Sequence, residues 1–170
     1  MSIKKLMKLG LFAVVILFLV GDMVSADIAM SARLGMAIPH RTYDPGISAN
    51  VGLEYYLNPW ITLEGVLGYH RLMGKAAANL HVWQMSLNGR IYFITGGSLK
   101  PYVNGGFGLY LQKPSNWSGH DQIGFNLGAG LDYQIKPSVA LEFAYNYHDA
   151  YPAKRGVEFS TLQVGLRWKF

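Results

Sequence analysis

The chain alternates apolar and polar residues over eight stretches of about ten residues each. In the last stretch Leu162, Val164, Leu166, Trp168 and Phe170 share one face, and polar or small residues share the other. Successive side chains of a strand point to opposite faces of a sheet, so each stretch predicts a β-strand with one apolar face. The predicted strands are residues 28–38, 46–57, 61–70, 82–93, 99–111, 123–134, 139–148 and 161–170.

The connections between the predicted strands alternate in length. Segments 57–60, 95–98 and 136–138 are rich in Gly, Pro, Asn or Ser and predict tight turns. Longer polar connections are predicted at residues 39–45, 72–79, 113–121 and 149–158. An even number of antiparallel strands closes with both termini at one end, and short turns at one end with longer loops at the other are typical of outer-membrane barrels. The pattern predicts an all-β fold, a closed eight-stranded antiparallel transmembrane barrel in one domain of residues 27–170.

Two kinds of barrel compete, a lipocalin-like one with an apolar cavity and an outer-membrane one with an apolar exterior. The polar faces hold mainly Ser, Asn, Gln, Thr and Gly, whereas a water-facing surface would be richer in Lys and Glu. The apolar faces carry more aromatic bulk than an eight-stranded interior accommodates. Aromatic residues also gather near both ends of the predicted strands, as at the two interfaces of a bilayer. The composition therefore favours an outer-membrane barrel whose apolar exterior contacts lipid.

The first 26 residues predict a secretory signal peptide. Lys4, Lys5 and Lys8 precede an apolar run at residues 9–20, and small residues before Ala26 fit a cleavage site after that residue. The chain has no cysteine and a net charge of +5 with scattered basic residues, so neither disulfides nor a nucleic-acid partner is expected.

The predicted interior carries an unusual set of charged residues. By strand parity the lumen charge cluster consists of Arg33, Glu54, Glu64, Arg90, Asp132, Glu142 and Arg167, with Lys169 also facing inward. Counting outward from the short turns places Glu54 opposite Glu64 and Asp132 opposite Glu142. Counting across the longer loops then places Arg90 opposite Glu64 and Arg167 opposite Glu142. Two carboxylates that lie side by side repel each other unless a basic side chain bridges them, so we expect the arginines to bridge these pairs. We interpret the cluster as a structural plug; a proton or ion path is the alternative.

The terminal strand carries the residues of a recognisable assembly signal. The C-terminal signal of small outer-membrane barrels has a polar residue, then a glycine, then two aromatic residues. These positions are held here by Gln163, Gly165, Trp168 and Phe170. Across residues 27–170 the chain resembles the eight-stranded barrels of the OmpA/OmpX type. The resemblance implies location in the bacterial outer membrane, insertion by the barrel-assembly machinery, contact with outer-membrane lipid and lipopolysaccharide, and a structural or surface-interaction role. It also implies a monomer that meets an extracellular ligand through its loops.

An enzyme that modifies lipid A, and a narrow-pore porin, remain alternatives to the structural role. Some eight-stranded deacylases use a His-x-Ser motif with a nearby acid, but residues 148–150 read His-Asp-Ala, and Ser160 lies on the next strand. Parity turns His70 and His148 inward. The remaining histidines, at positions 40, 81 and 120, lie in or beside loops, and we interpret them as solvated. We therefore expect no catalytic residues, no cofactor and no metal site.

Overall fold

The chain forms a closed barrel of eight antiparallel strands, in which each strand pairs with its sequence neighbours and β1 pairs with β8. The computed structural model describes residues 28–41, 43–74, 79–114, 120–150 and 157–170. The strands are β1 Ile28–Pro39, β2 Tyr43–Asn58, β3 Ile61–Gly74, β4 Leu80–Tyr92, β5 Leu99–Pro114, β6 His120–Lys136, β7 Val139–Ala150 and β8 Val157–Lys169. The predicted all-β fold with eight strands is confirmed. The predicted signal peptide lies outside the described residues.

The two ends of the barrel differ in their connections. The short connections at residues 59–60, 93–98 and 137–138 share one end with the start of β1 and the end of β8, and we call it the turn end. The opposite end, where β1 leads into β2 and β7 leads into β8, is the loop end. Within the described ranges no helix is long and apolar enough to cross a membrane.

The strands reach further toward the loop end than the sequence pattern predicted. β3 continues to Gly74 and β4 begins at Leu80, so residues 72–74 of the predicted loop 72–79 are strand. The predicted loops 113–121 and 149–158 are shortened in the same way. The reason is that the inward residues here, Leu72 and Leu80 among them, are apolar and buried. The outward positions beside them, such as Arg71, His81 and Lys113, are polar or charged, so the two faces exchange character and the pattern seen in the middle of the strands ends.

The outward face is apolar along the middle of the barrel. Leu34, Leu87 and Phe107 point outward, and Phe107 is 74% exposed. Aromatic side chains lie at both margins of this face, with Trp60, Phe93, Tyr133, Trp168 and Phe170 at the turn end and Trp83 near the loop end. A continuous belt of exposed apolar side chains matches the hydrocarbon core of a bilayer.

Inward glycines make room for large polar side chains in the narrow interior. A Cβ atom at Gly52 would lie 2.5 Å from the Glu64 carboxylate and the Ser31 hydroxyl, and one at Gly165 would lie 2.6 Å from the Arg33 side chain. Real Cβ atoms do not approach other heavy atoms so closely, so these positions require glycine while the charged side chains stay in place. The glycine content of the strands therefore follows from the packing of the lumen.

Candidate functional site

The interior of the barrel near the turn end holds a cluster of buried charges. All seven residues predicted for the lumen cluster face inward and are buried; they are Arg33, Glu54, Glu64, Arg90, Asp132, Glu142 and Arg167. Every strand except β5 contributes one of them, and β5 contributes Tyr102, whose hydroxyl donates a hydrogen bond to Glu142 at 2.6 Å. The structure thus brings the complete predicted set together from distant parts of the chain.

Arg90 lies at the centre of the cluster and is 0% exposed. One terminal nitrogen, Nη2, lies 3.0 Å from Glu64 and 3.0 Å from Glu142, and the other, Nη1, lies 3.5 Å from Glu54. Its guanidinium also lies 4.2 Å from the centre of the Tyr102 ring. One base therefore joins three carboxylates that come from three different strands, so its removal would leave all three without a shared counter-charge.

Two further arginines flank Arg90. Arg33 donates hydrogen bonds to Glu64 at 2.5 Å and to Glu142 at 3.2 Å. Arg167 donates from Nε to Glu54 at 2.8 Å and from Nη1 to Asp132, and its Nη2 lies 3.2 Å from Glu142. Charge-assisted hydrogen bonds of this kind are the strong ones in proteins. The three bases and the acids therefore form one connected network rather than separate pairs.

The observed strand register confirms the predicted cross-strand pairs of acids but not the predicted partners of Arg90 and Arg167. Glu54 is opposite Glu64, and Asp132 is opposite Glu142, as the turns predicted. The prediction that Arg90 is opposite Glu64 is wrong, because its cross-strand partner is Thr62. In the same way Ala140, and not Glu142, is opposite Arg167. Arg90 and Arg167 therefore lie two residues nearer the turn end than predicted. Their side chains are long enough to contact the acids from there.

The network does not satisfy every charged atom within itself. Four carboxylates face three guanidinium groups, so the cluster has a formal charge of −1 when all seven groups are ionised. Buried oxygens of Glu54, Asp132 and Glu142 have no hydrogen-bond partner in the protein. A proton, water or Lys169 would lower the electrostatic cost of this excess charge. Among the described side chains no group of three or more His, Cys, Asp or Glu could hold a metal ion.

Three buried tyrosines belong to the interior but were not predicted there. The Tyr92 hydroxyl donates to Asp132 at 2.9 Å, and Tyr102 contacts Arg90 and Glu142. Tyr110 is fully buried further toward the loop end. The signal was present in the sequence, because all three share the parity of the inward polar residues, but the sequence analysis assigned them to neither face.

A vestibule of about 560 Å³ lies between the cluster and the turn end. Asp132 and Arg167 form part of its wall, together with Tyr56, Lys100 and Lys169. The Lys100 ammonium donates to Gln134 at 3.2 Å, and the Lys169 nitrogen lies 5.0 Å from the centre of the Tyr56 ring. Water can therefore approach the cluster from the turn end.

Toward the loop end the interior becomes less charged and then apolar. Side-chain amides bridge the lumen, with Asn50 donating to Gln163 at 3.0 Å and Asn104 donating to Asn146 at 2.8 Å. The apolar cap follows, a fully buried cluster of Ala37, Leu72, Leu80, Val82, Tyr110, Ala150 and Phe159. Between these layers the His148 ring stacks on Phe159 with ring centres 4.7 Å apart. Both His70 and His148 face inward, as predicted.

The four residues predicted as an assembly signal lie on both faces of β8. Gln163 is inside, where it accepts a hydrogen bond from Asn50 and donates one to Ser48 at 2.8 Å. Gly165 is also inside, against Arg33. Trp168 and Phe170 point outward at the turn end, and Phe170 is 77% exposed.

A serine and a histidine meet on the outer face near the loop end. The His40 Nε2 lies 2.9 Å from the Ser160 hydroxyl, and the Tyr145 hydroxyl lies 2.8 Å from that same oxygen. The expectation that His40 is a solvated loop residue missed this contact. Parity alone could not reveal it, because the two residues are brought together by the pairing of β1 with β8.

Comparison with known proteins gives the family. The profile of the outer membrane protein beta-barrel domain matches residues 16–170. A sequence comparison with curated proteins gave no match.

Solved barrels share the fold at low sequence identity. Neisserial surface protein A has a TM-score of 0.67 and 21% identity over 86% of this chain and 98% of its own. Ail, the attachment invasion locus protein of Yersinia pestis, in complex with the heparin analogue sucrose octasulfate, has a TM-score of 0.56 and 16% identity over 85% and 97%. The outer membrane enzyme PagL has a TM-score of 0.53 and 17% identity over 82% and 98%. The chain therefore belongs to the outer membrane protein beta-barrel domain family and is a protein of the bacterial outer membrane.

Proposed function

We propose that the protein is a non-catalytic, non-conducting barrel with a structural or surface-interaction role in the cell envelope. In this proposal the turn end faces the periplasm and the loop end faces the exterior. The protein works as a monomer, is inserted by the barrel-assembly machinery, and lies among outer-membrane lipid and lipopolysaccharide.

The observation that carries the proposal is the filling of the lumen by two successive layers. The charge cluster is held by hydrogen bonds among buried side chains, and the apolar cap beyond it is fully buried. An ion that crossed the barrel would have to displace the bridging arginines and then pass through an apolar constriction. Both steps oppose conduction, because a desolvated ion needs replacement ligands that the cap does not offer.

Planar-bilayer recording tests the plug against the porin alternative. Purified protein, with folding verified by heat-modifiable gel migration, should give no regular conductance under conditions in which a general porin conducts. A small, regular conductance that depends on protein concentration would contradict the plug. The variant Phe159→Ala serves as the matched comparison, since it removes an aromatic ring of the apolar cap and leaves the charge cluster intact.

The surface role is supported by family membership and by the names of two relatives. One similar structure is a surface protein, and another is an attachment invasion protein that binds a heparin analogue. A clean deletion should alter envelope permeability or binding to host-cell or glycan surfaces, and plasmid-borne parent protein should restore it. Unchanged permeability together with unchanged binding would count against this role.

A lipid-modifying enzyme is the second candidate, and the contact between His40 and Ser160 favours it. An imidazole nitrogen within hydrogen-bond reach of a serine hydroxyl is the core of a nucleophilic pair. However, Ser160 is only 3% exposed, and among the described side chains no carboxylate hydrogen-bonds to the His40 ring. We therefore place this candidate second.

Lipid A analysis separates the two candidates. Overexpression of the parent and of Ser160→Ala should give the same acylation pattern by mass spectrometry, with Ser48→Ala, a buried lumen change, as the comparison variant. A deacylated species that appears with the parent and disappears only with Ser160→Ala would establish the enzyme.

A further inference from the structure

The vestibule between the charge cluster and the turn end has the dimensions of a small-molecule site. Its volume of about 560 Å³ lies within the range of about 300–1,000 Å³ that is typical of ligand pockets. Asp132 and Arg167 of the buried cluster close it on the inner side. Ala140 is the cross-strand partner of both Gln134 and Arg167, so only a methyl group occupies the wall between these two long side chains. A molecule that enters from the turn end therefore meets a blind pocket with polar walls.

Two lysines give the vestibule a positive charge. Lys100 on β5 and Lys169 on β8 are half-buried and line it from two sides. The Lys100 ammonium donates to Gln134 at 3.2 Å, and since an ammonium has three donors it can bind a further acceptor while it keeps this bond. The charge cluster together with these two lysines holds five bases and four acids, a formal charge of +1 among the described side chains. A ligand with one negative charge would balance it.

One acceptor at the inner wall of the vestibule lacks a donor. Asp132 is 1% exposed, and its Oδ2 accepts hydrogen bonds from Tyr92 at 2.9 Å and from Arg167. Its other oxygen, Oδ1, has no hydrogen-bond partner in the protein. A buried carboxylate oxygen without a donor is costly, and an N–H group supplied by a ligand would satisfy it. Because Lys100 is the cross-strand partner of Asp132, an acceptor and a cationic donor lie side by side on this wall.

The remaining wall of the vestibule offers an aromatic and apolar surface. Tyr56 lines it, and the Lys169 nitrogen lies 5.0 Å from the centre of the Tyr56 ring. Tyr55, Pro59 and Pro137 add apolar surface near the mouth. A small side chain can pack against these groups while an adjoining carboxylate contacts the lysines.

We propose that the vestibule binds the carboxyl-terminal end of a peptide, in which a carboxylate stands next to an amide N–H. Lys100 and Lys169 bind the carboxylate, the N–H donates to Asp132, and the terminal side chain packs against Tyr56. A phosphate group fits less well, because it has no N–H donor and brings a second negative charge close to Asp132. In the proposed orientation such a peptide comes from the periplasm. Binding by purified protein depends neither on that orientation nor on conduction, so this proposal and the plug can fail separately.

Isothermal titration calorimetry of purified protein in zwitterionic detergent micelles tests the proposal. The probes are N-acetyl-alanyl-alanine, the same peptide with its carboxyl group amidated, and propionate, which has a carboxylate but no N–H. The test variants are Lys100→Gln and Lys100→Gln/Lys169→Gln. The matched control for the double variant is Lys113→Gln/Lys136→Gln, which makes the same change in net charge at exposed lysines outside the vestibule. Heat-modifiable migration verifies folding, and the single variant keeps the test decisive if the double variant does not fold.

A soluble carrier protein that ends in the same two alanines separates the two sources of this chemistry. Binding of the carrier as tightly as the free peptide supports a site for protein tails. Binding of the free peptide alone supports a site for small peptide solutes.

The parent should bind the acid peptide in a saturable manner, and the control variant should bind it equally well. A charge-assisted hydrogen bond contributes roughly tenfold to affinity, so Lys100→Gln should weaken binding roughly tenfold and the double variant roughly a hundredfold. The amidated peptide and propionate should each bind the parent roughly tenfold more weakly than the acid peptide, since each lacks one of the two groups. Absence of saturable binding, equal affinity for either of these two probes, or an equal loss in the control variant would overturn the proposal.

Discussion

The change Arg90→Met tests whether the charge cluster stabilises the barrel. Methionine retains much of the apolar stem but removes the guanidinium that contacts Glu54, Glu64 and Glu142. Removing one partner from a buried ionic network typically costs about 3–5 kcal/mol, because the remaining charges are left without compensation. The formal charge of the cluster also falls from −1 to −2, since four carboxylates then face two guanidinium groups. We expect a loss of unfolding free energy within that range.

Urea unfolding in detergent micelles, followed by tryptophan fluorescence, measures the loss. With a slope of roughly 2 kcal/mol per molar urea, the midpoint should fall by about 1.5–2.5 M. The matched control is Arg41→Met, because that side chain is 81% exposed and its pair with Glu158 is 4.0 Å long. Exposed pairs of this kind contribute little, so the control midpoint should stay close to the parent.

A second variant separates the loss of charge balance from the loss of packing. In Arg90→Met/Glu64→Gln three carboxylates face two guanidinium groups, which restores the formal charge of −1. If charge balance governs stability, the double variant should be more stable than Arg90→Met alone. The reasoning is refuted if Arg90→Met is as stable as Arg41→Met. It is also refuted if the double variant Arg90→Met/Glu64→Gln has a lower unfolding free energy than Arg90→Met alone.

Three further predictions address assembly, packing and export. Deleting Phe170 should lower the amount of barrel inserted in cells. Protein refolded in detergent should keep nearly the stability of the parent, because the Phe170 ring is exposed at the barrel margin. Normal insertion in cells would contradict the interpretation of the terminal strand as an assembly signal. Gly130→Ala should destabilise the barrel by about 1–3 kcal/mol in the same urea assay, since the new methyl group meets the Tyr102 ring, and Tyr102→Leu should relieve part of that loss. N-terminal sequencing of protein from the outer membrane should start at Asp27, and a start at Met1 would contradict cleavage after Ala26.

The sequence predicted the fold and the inward set because strand parity is a strong local signal. Arg90 and Glu142 could be assigned to the lumen from their neighbours alone, and the two acid pairs followed from short turns whose lengths fix the register. The two-residue displacement of Arg90 and Arg167 could not be predicted in the same way. Their strands are joined to the preceding ones through the longer loop-end connections, where small errors in loop length shift the whole register.

Features that depend on tertiary contact were also beyond the sequence pattern. Tyr92 and Tyr102 are aromatic residues whose hydroxyls donate hydrogen bonds to buried acids, and the sequence pattern assigned them to neither face. The contact between His40 and Ser160 arises only when the first and last strands close the barrel. The alternation itself fails near the loop end, where the buried lining changes from polar to apolar.

In the proposed orientation, the extension of the strands toward the loop end shapes the surface that an extracellular partner would meet. Only residues 40–42, 75–79, 115–119 and 151–156 separate the strands there. A molecule that contacts the described strand ends, such as those at Gly74, Leu80 and Val157, meets backbone already fixed by hydrogen-bonded ladders, so these strand ends need no ordering on contact. The entropy lost on association then falls mainly on the partner, and a rigid, flat-faced partner should bind better than a flexible peptide of the same composition.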